Sequence, residues 1–432
     1  MRYEEFLLLF HQHFYTAIIL WLLSVIFGII LFRKYIYSII DPLFYHRVMS
    51  YSGFTIIFFL YFLGFIEDYY FYSFLLTQIA LTIGFFSFKP VKRLAYEKQH
   101  LSFHIKISTR FKFLFLISVI LYIISKLTTW YLVGIPLFKR MAGFSAYQGG
   151  LGVFARIESV VSPIILSYLS FKTLYQKRLN FWEGLILLFV LISTSVSGSK
   201  AALLSLLFTI FYVYMFSWRF RISLTINKKL INSLIILSVL VSVGITTYFY
   251  NTSSFFEGLY LLLMRVIFTG DIYMMAYPNN VISQIHIEHG NLFYGLFGWF
   301  FAGIKLIPWD KVPDLVGHAI AKYVYNSNVN FAPNSRHNIF CLYYLGFWGS
   351  IPFSFLLGIL MSFIRNVLYY KVRSNLEGMI IYILFVNYCF AFESDPPYAV
   401  FGYTSLLLVF VPIYVLSYIF AEVLEKSKIY KN

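Results

Sequence analysis

The strongest constraint on this sequence is a series of long apolar runs, each of about 16–22 residues, that recur along the whole chain. An α-helix needs about 20 apolar residues to cross a hydrocarbon core of about 30 Å. The composition agrees, because 60% of the residues are hydrophobic and only 12% are charged. The runs are apolar throughout instead of alternating with period two, which excludes a transmembrane β-barrel. The sequence therefore predicts an all-α polytopic membrane protein.

About 11 of these runs, within a range of 10 to 12, are predicted to be transmembrane helices. The predicted spans are Phe14–Phe32, Tyr51–Ile66, Tyr70–Phe88, Phe113–Val133, Ser159–Tyr175, Phe181–Val196, Ala201–Trp218, Leu230–Tyr250, Asn338–Ile364, Gly378–Phe392 and Ala399–Ala421. No internal repeat and no low-complexity linker separates them. Residues 1–432 are therefore predicted to form a single integral membrane domain.

The formal net charge of +16 would suit a nucleic-acid-binding protein, but its distribution indicates membrane topology instead. Of the 34 Lys and Arg residues, 23 fall in one alternate set of connections, which includes Arg47, Arg365 and seven residues between Lys89 and Lys112. Cytoplasmic connections of membrane proteins are enriched in Lys and Arg, so this set is predicted to be cytoplasmic. We expect contact with membrane lipids and no nucleic-acid partner.

Two connections on the opposite, external side are much longer than the others and carry arginines. One covers residues 134–158 and the other covers 251–337. Within the longer loop, Leu292–Ile307 is apolar but would reach only about 24 Å as a helix, and it contains three glycines. We interpret this segment as a re-entrant or interfacial helix. The sequence places the candidate chemistry in this large external loop.

The arginines of the external loops are candidates for binding an anionic, lipid-linked substrate, because guanidinium is always charged and grips phosphate oxygens bidentately. Arg156 either serves this purpose or is a helix-end residue paired with Glu158. Arg265 lies in the otherwise apolar run Gly258–Phe268, so its charge needs an anionic partner or water. Lys200 either contributes to the site or merely marks a turn.

His337 is the candidate for proton transfer, because it follows Arg336 at the end of the large loop and an imidazole titrates near neutral pH. The alternative is a hydrogen-bonded residue at a membrane boundary. Further candidates for the same base are Asp271, Glu288, His289 and Glu393. The predicted site comprises the catalytic residues His337, Arg265 and Asp271 and the substrate-binding residues Arg156, Arg336, Lys200, Glu158 and His289. No HExxH pattern or metal-spaced acid pair occurs, so neither a metal nor another cofactor is predicted.

Four short patches resemble the bacterial O-antigen polymerases, the Wzy-type enzymes that join oligosaccharide repeat units, and their relatives, the O-antigen ligases. The patches are the Gly-rich loop with Arg156, Ser197–Lys200 before Ala201, Ile307–Lys311, and His337-Asn338 followed by Gly346 and Gly349. The last patch is similar to the His-Asn that ends the large periplasmic loop in this group and to the Gly-x-x-Gly of the next helix.

The resemblance implies a GT-C-like, metal-independent glycosyltransferase in the bacterial inner membrane, with its active site facing the periplasm. Its substrates would be oligosaccharides linked to undecaprenyl pyrophosphate, joined during O-antigen or capsule biosynthesis. A chain-length regulator and a flippase are implied as candidate partners. Within the resemblance, Arg336 or Arg265 would balance the pyrophosphate, and His337 would deprotonate or orient the acceptor hydroxyl.

Two alternatives stay open at this point. An O-antigen ligase would use a similar site to transfer the glycan to lipid A–core. A polysaccharide flippase or another transporter belongs to a different class, in which charged residues are typically buried within the spans. The predicted spans contain almost no such charges and one external loop dominates, which favours the enzyme.

Overall fold

The computed structural model describes residues 1–92, 107–139, 151–197, 202–220, 228–252, 254–326 and 333–429. Within these ranges every regular element is a helix. The α-helices are α1 (Tyr3–Gln12), α2 (Phe14–Phe32), α3 (Pro42–Phe62), α4 (Asp68–Phe85), α5 (Thr109–Val133), α6 (Gly152–Gln176), α7 (Phe181–Ser195), α8 (Ala202–Ser217), α9 (Lys228–Tyr250), α10 (Phe255–Ile267), α11 (Asp271–Ala276), α12 (Val281–Gln284), α13 (Leu292–Gly303), α14 (Val316–Tyr325), α15 (Arg336–Ser362), α16 (Leu368–Lys371), α17 (Leu376–Asn387), α18 (Ala391–Ser394), α19 (Pro396–Ser405) and α20 (Val411–Ile429).

Eight helical stretches of the described residues are long and apolar enough to cross a membrane. They are Phe14–Phe32, Thr109–Val133, Gly152–Gln176, Asn232–Tyr250, Phe255–Ala276, Arg336–Lys371, Leu376–Ser394 and Pro396–Lys426. These helices confirm the predicted class, an all-helical protein with several membrane-spanning stretches. The finer count of 11 spans stays a prediction.

One of the eight stretches, Phe255–Ala276, belongs to the region that the sequence assigned to the external loop. The charged residues Arg265 and Asp271 made this region resemble a loop. In the structure these two side chains pair, with Arg265 Nη1 lying 3.5 Å from Asp271 Oδ2, so the helix accommodates both charges. Further along, α13 contains only 12 residues, or about 18 Å of helix. Its re-entrant or interfacial position stays a prediction.

The chain divides into two compact units. The first comprises Met1–Val91, Leu263–Leu368 and Val386–Phe401, and the second comprises Lys92–Leu262, Tyr369–Phe385 and Gly402–Asn432. In the second unit, α5 and α6 are joined by the buried ion pair of Lys126 with Glu158. The first unit is built around α3, α4 and α15.

Helix α15 is a hairpin, although its sequence is a single apolar run. Asn338, near its start, donates to Thr77 of α4 over 2.9 Å, whereas the ring of Phe347 lies 5.3 Å from that of Tyr69. Gly358 then lies against Leu81 of α4. The chain therefore runs toward the beginning of α4, reverses, and returns along it.

The reversal takes place at Gly346, whose backbone angles of φ +66° and ψ −173° are not helical. This region of backbone space is almost restricted to glycine. The return limb then packs closely on α4, because a Cβ at Gly358 would overlap the carbonyl oxygen of Leu81, and one at Gly84 would overlap that of Phe355. Arg336–Leu345 therefore forms a short helix that lies beside the middle of α4.

We expect Gly346→Ala to destabilise the protein by about 1–3 kcal/mol, because alanine is strained in this conformation. No atom lies within 4 Å of a Cβ built at Gly346, so the cost arises from the backbone alone. Thermal unfolding of the purified protein in detergent measures it. The matched control is Gly184→Ala in α7, where the Cβ also meets open space and helix propensity favours alanine. Equal melting temperatures for both variants would contradict the strained hairpin.

Two arginines that the sequence assigned to cytoplasmic connections are fully buried instead. Arg365 donates to both carboxylate oxygens of Asp41, over 2.9 and 2.7 Å, and to the carbonyl of Tyr35 over 3.1 Å. Arg47 pairs with Glu393. Both guanidinium groups are desolvated because α3 begins at Pro42 and the helical stretch that starts at Arg336 continues to Lys371, well past the apolar windows that defined the predicted spans.

Candidate functional site

Several interruptions of helices meet beside the middle of α4 in the first unit. They are the beginning of α15, the turn of 3-10 helix at Phe268–Gly270 before α11, and the short helix α18, which is separated from α17 and α19 by non-helical residues. Together with α3 they bury the side chains of Arg47, Arg336, His337, Asn338 and Glu393 beside the partly exposed ring of His46. We name these six residues the buried polar cluster. Thr77 of α4, which contacts this cluster, lies nine residues after Asp68, or about 14 Å along the helix axis.

His337 and Asn338 occupy the first turn of α15 and are held on every side. Asn338 receives a hydrogen bond from the hydroxyl of Tyr273 over 2.7 Å, and it donates to Thr77 over 2.9 Å. His337 is fully buried. Its Nδ1 lies 3.3 Å from the backbone carbonyl of Glu393, and its Nε2 lies 3.2 Å from Nδ2 of Asn338.

These contacts are those of a His337 ring that carries its proton on Nδ1. A carbonyl oxygen only accepts hydrogen bonds and an amide nitrogen only donates them. Nδ1 therefore donates to Glu393, and Nε2 accepts from Asn338. Both nitrogens of the imidazole are thus engaged by the protein, so the geometry suits a positioning group better than an open base.

Glu393 is the only carboxylate within the buried polar cluster as described. Its Oε2 accepts from Arg47 Nη2 and lies 3.8 Å from Nδ1 of His46. The same Nη2 of Arg47 also donates to that ring nitrogen over 3.0 Å, while Nε2 of His46 donates to the carbonyl of Phe390 over 2.9 Å. The second oxygen of Glu393, Oε1, has no hydrogen-bond partner among the described residues, so it is an open acceptor.

Arg336 adopts a left-handed conformation with φ +48°, which is uncommon for a residue other than glycine. This backbone directs the guanidinium inward, where Nη1 donates to Ser50 over 3.1 Å and Nη2 donates to the carbonyl of Thr269 over 2.8 Å. Strain in a well-packed region is typical of functional positions. The sequence-predicted Arg336 and His337, which are consecutive in the chain, are both buried inside the unit.

The buried polar cluster has an excess of positive charge, because Arg47 and Arg336 face the single carboxylate of Glu393. Nε and Nη1 of Arg47 and Nε of Arg336 are buried and have no hydrogen-bond partner in the described part of the chain. Buried charged donors without partners are costly. The arrangement is therefore suited to an anion that brings several oxygens, such as a phosphate or a pyrophosphate.

Two other predicted residues, Arg265 and Asp271, lie at the margin of the cluster. The side chain of Arg265 is half exposed and pairs with Asp271, so the anionic partner expected for this arginine is supplied by the protein itself. Arg336 contacts the carbonyl of Thr269, two residues before Asp271. Arg265 and Asp271 are thus close to the cluster along the chain.

Arg156 and Glu158 belong to the second unit. Arg156 Nη1 donates to Thr404 and Ser405, each over 3.1 Å. Glu158 is buried, pairs with Lys126 and accepts from Ser125 over 2.9 Å. The two side chains therefore serve packing contacts within their unit, and their role in substrate binding stays a prediction.

The remaining predicted residues are peripheral or undescribed. His289 is exposed in a turn with φ +55°, as is the neighbouring Glu288. Lys200 lies outside the described residues. Just before α14, Asp314 accepts from His318 over 2.7 Å and from Lys322 over 2.8 Å. Partial burial opposes ionisation of Asp314, but these hydrogen bonds outweigh it and lower the pKa of the carboxyl.

The sequence analysis missed Arg47, Tyr273 and Thr77 as members of the site. Arg47 and Glu393 are separated by 346 positions, and no spacing rule connects residues so far apart. A weaker signal existed, because both charges border apolar runs where a short extension of the helix buries them. Charges at the ends of predicted spans are therefore candidates for burial within the membrane domain.

No three or more His, Cys, Asp or Glu side chains come together as metal ligands within the described ranges, and the predicted metal independence stays a prediction. No protein-family model, curated protein or solved structure matches this chain. The resemblance to O-antigen polymerases therefore rests on the four short sequence patches alone.

Proposed function

We propose that this membrane protein is a metal-independent glycosyltransferase that polymerises oligosaccharide repeat units carried on undecaprenyl pyrophosphate, at the periplasmic face of the bacterial inner membrane. The observation that supports it most is the buried polar cluster, in which two guanidinium groups with unpartnered N–H donors lie beside a histidine and a carboxylate. An anionic leaving group and a hydroxyl nucleophile require these two kinds of side chain.

In the proposed reaction, an oxygen of the acceptor sugar attacks the anomeric carbon of the donor glycan. The new glycosidic C–O bond forms while the bond between that carbon and the pyrophosphate oxygen breaks, and the pyrophosphate leaves with the bonding electron pair. Arg47 and Arg336 neutralise the charge that develops on the leaving group without a metal ion. Guanidinium groups held in a water-poor site stabilise such charge more strongly than they would in water.

The proton of the acceptor hydroxyl goes to a group with an open lone pair. Oε1 of Glu393 is such an acceptor, whereas Nε2 of His337 is occupied by Asn338. We therefore assign proton acceptance to Glu393, which the sequence analysis held among its further candidates, and positioning to His337. The imidazole fixes the carbonyl of Glu393 through Nδ1, and with it the direction of the carboxylate side chain. An O-antigen ligase would use the same steps with a different acceptor.

A transporter is the second candidate, and the structure removes one argument against it. The sequence analysis disfavoured transporters because the predicted spans carry almost no charges, but Arg47, Arg336, Arg365, Asp41 and Glu393 are all buried. Broken helices that meet beside buried charges are typical of secondary transporters. A flippase for lipid-linked oligosaccharides would recognise the same pyrophosphate.

The glycan ladder of a strain that lacks this protein separates the candidates. We expect the deletion to leave core carrying a single repeat unit, because units are still exported and attached but are not joined. Restored long chains after complementation with the full-length protein would support a polymerase. Bare core would indicate a ligase, and lipid-linked units retained at the cytoplasmic face would indicate a flippase. Either of these last results would overturn the proposal.

A further inference from the structure

A lateral groove runs between α2, α3 and α4 of the first unit. Its volume is about 570 Å³, and its lining is almost entirely aliphatic and aromatic. Leu23 and Phe27 form one wall, Phe54 and Phe74 form the floor, and Ile79 forms part of the rim. The dimensions and apolar lining suit a hydrocarbon chain rather than a sugar or a peptide.

The groove contains one polar feature that packing does not explain. Gln78 lines it and is only 7% exposed, yet neither its Oε1 nor its Nε2 has a hydrogen-bond partner among the described residues. An unsatisfied buried amide costs about 1–3 kcal/mol, so a helix that only faced lipid tails would be more stable with leucine at this position. The amide is therefore available to a polar group of a bound molecule.

Shared side chains connect the wall of the groove to the buried polar cluster. The rings of Phe54 and Phe74 line the groove and lie 6.3 and 5.5 Å from the ring of Tyr273. The hydroxyl of Tyr273 in turn donates to Asn338 of the cluster. On α3, the groove residue Tyr51 follows the cluster residue Arg47 by one helical turn. One layer of side chains therefore separates the apolar groove from the arginines.

We propose that this groove binds the polyprenyl chain of the lipid-linked substrate, with its phosphate end toward Gln78 and the buried polar cluster. This inference rests on the proposed function for the identity of the lipid. The charge of the cluster selects an anionic head group, and the groove accommodates a single long chain. An ordinary phospholipid carries two chains, of which the groove would hold only one.

The test measures binding of undecaprenyl phosphate to the purified full-length protein by native mass spectrometry, with phosphatidylglycerol as the competitor. Ile79→Trp places an indole in the groove and is expected to weaken binding about tenfold, by displacing a few methylene groups of the chain. Gln78→Leu is expected to weaken it about fivefold through loss of a hydrogen bond. The matched control is Ile120→Trp on α5, an equally exposed isoleucine (48% against 46%) outside the groove.

Reduced binding in Ile79→Trp and Gln78→Leu, with wild-type binding in Ile120→Trp, would support the groove. Equal affinity in all variants would overturn it, as would displacement of undecaprenyl phosphate by an equal concentration of phosphatidylglycerol. Failure of the proposed function has a different signature. If the wild-type protein binds undecaprenyl phosphate through the groove but forms no polymer from lipid-linked repeat units, the groove stands and the polymerase proposal falls.

Discussion

Replacing His337 by alanine is expected to reduce polymer formation by about 10²-fold or more, while the protein remains in the membrane at its normal abundance. The variant removes the imidazole that holds the carbonyl of Glu393 and frees the amide of Asn338. The carboxylate of Glu393 then loses its fixed direction. Incorporation of radiolabelled repeat units by purified protein, normalised to the amount of folded protein, measures the effect.

The glutamine variant of His337 separates positioning from proton transfer. A glutamine amide can still donate to the Glu393 carbonyl, but it does not take up a proton at neutral pH. We expect His337→Gln to recover much of the activity that His337→Ala loses. If His337→Gln were as inactive as His337→Ala, the result would indicate that His337 itself acts as the base. The exposed His286 provides the control, and its alanine variant should polymerise normally. Full activity of His337→Ala at matched abundance would exclude His337 from the site.

The helical runs of this protein were predictable because helix formation and membrane burial both depend on local apolar composition. The predicted span Phe14–Phe32 coincides with α2, and Phe181–Val196 differs from α7 by one residue. Errors concentrate where a charge lies inside or beside an apolar run. The apolar stretch Phe255–Ala276, which contains Arg265, was not among the predicted spans for this reason.

The hairpin in α15 could not be predicted from the sequence, for a different reason. Gly346 and Gly349 were recognised as a motif, but a glycine in an apolar run is compatible with a continuous helix, a kink or a reversal. Only the packing of both limbs on α4 distinguishes these outcomes. Consequently, the sequence predicted His337 and Arg336 at the end of the external loop, whereas the hairpin places both beside the middle of α4.

No local pattern in the sequence predicts the ion pair of Arg47 with Glu393. Substitutions of the two residues test what the pair contributes. Removal of one member of a buried pair leaves an uncompensated charge, which costs about 3–5 kcal/mol, whereas replacement of both members by neutral groups is often tolerated. We therefore expect Glu393→Gln to lower the melting temperature of the purified protein strongly and to abolish polymer formation. The double variant Arg47→Met with Glu393→Gln should recover most of the lost stability.

The activity of the double variant decides whether the pair is functional or only structural. Arg47 contributes two unpartnered donors and Glu393 one open acceptor, and neither methionine nor glutamine replaces a guanidinium or takes up a proton. We expect the double variant to be stable but inactive, with thermal unfolding and polymer formation measured on the same preparation. A stable and active double variant would show that the pair serves only to join α3 to α18. An unaltered melting temperature for Glu393→Gln alone would instead contradict the buried ion pair. The pairing that places Glu393 beside His337 would then have to be abandoned, because the proposed proton acceptor depends on Arg47 to hold its carboxylate inside the unit.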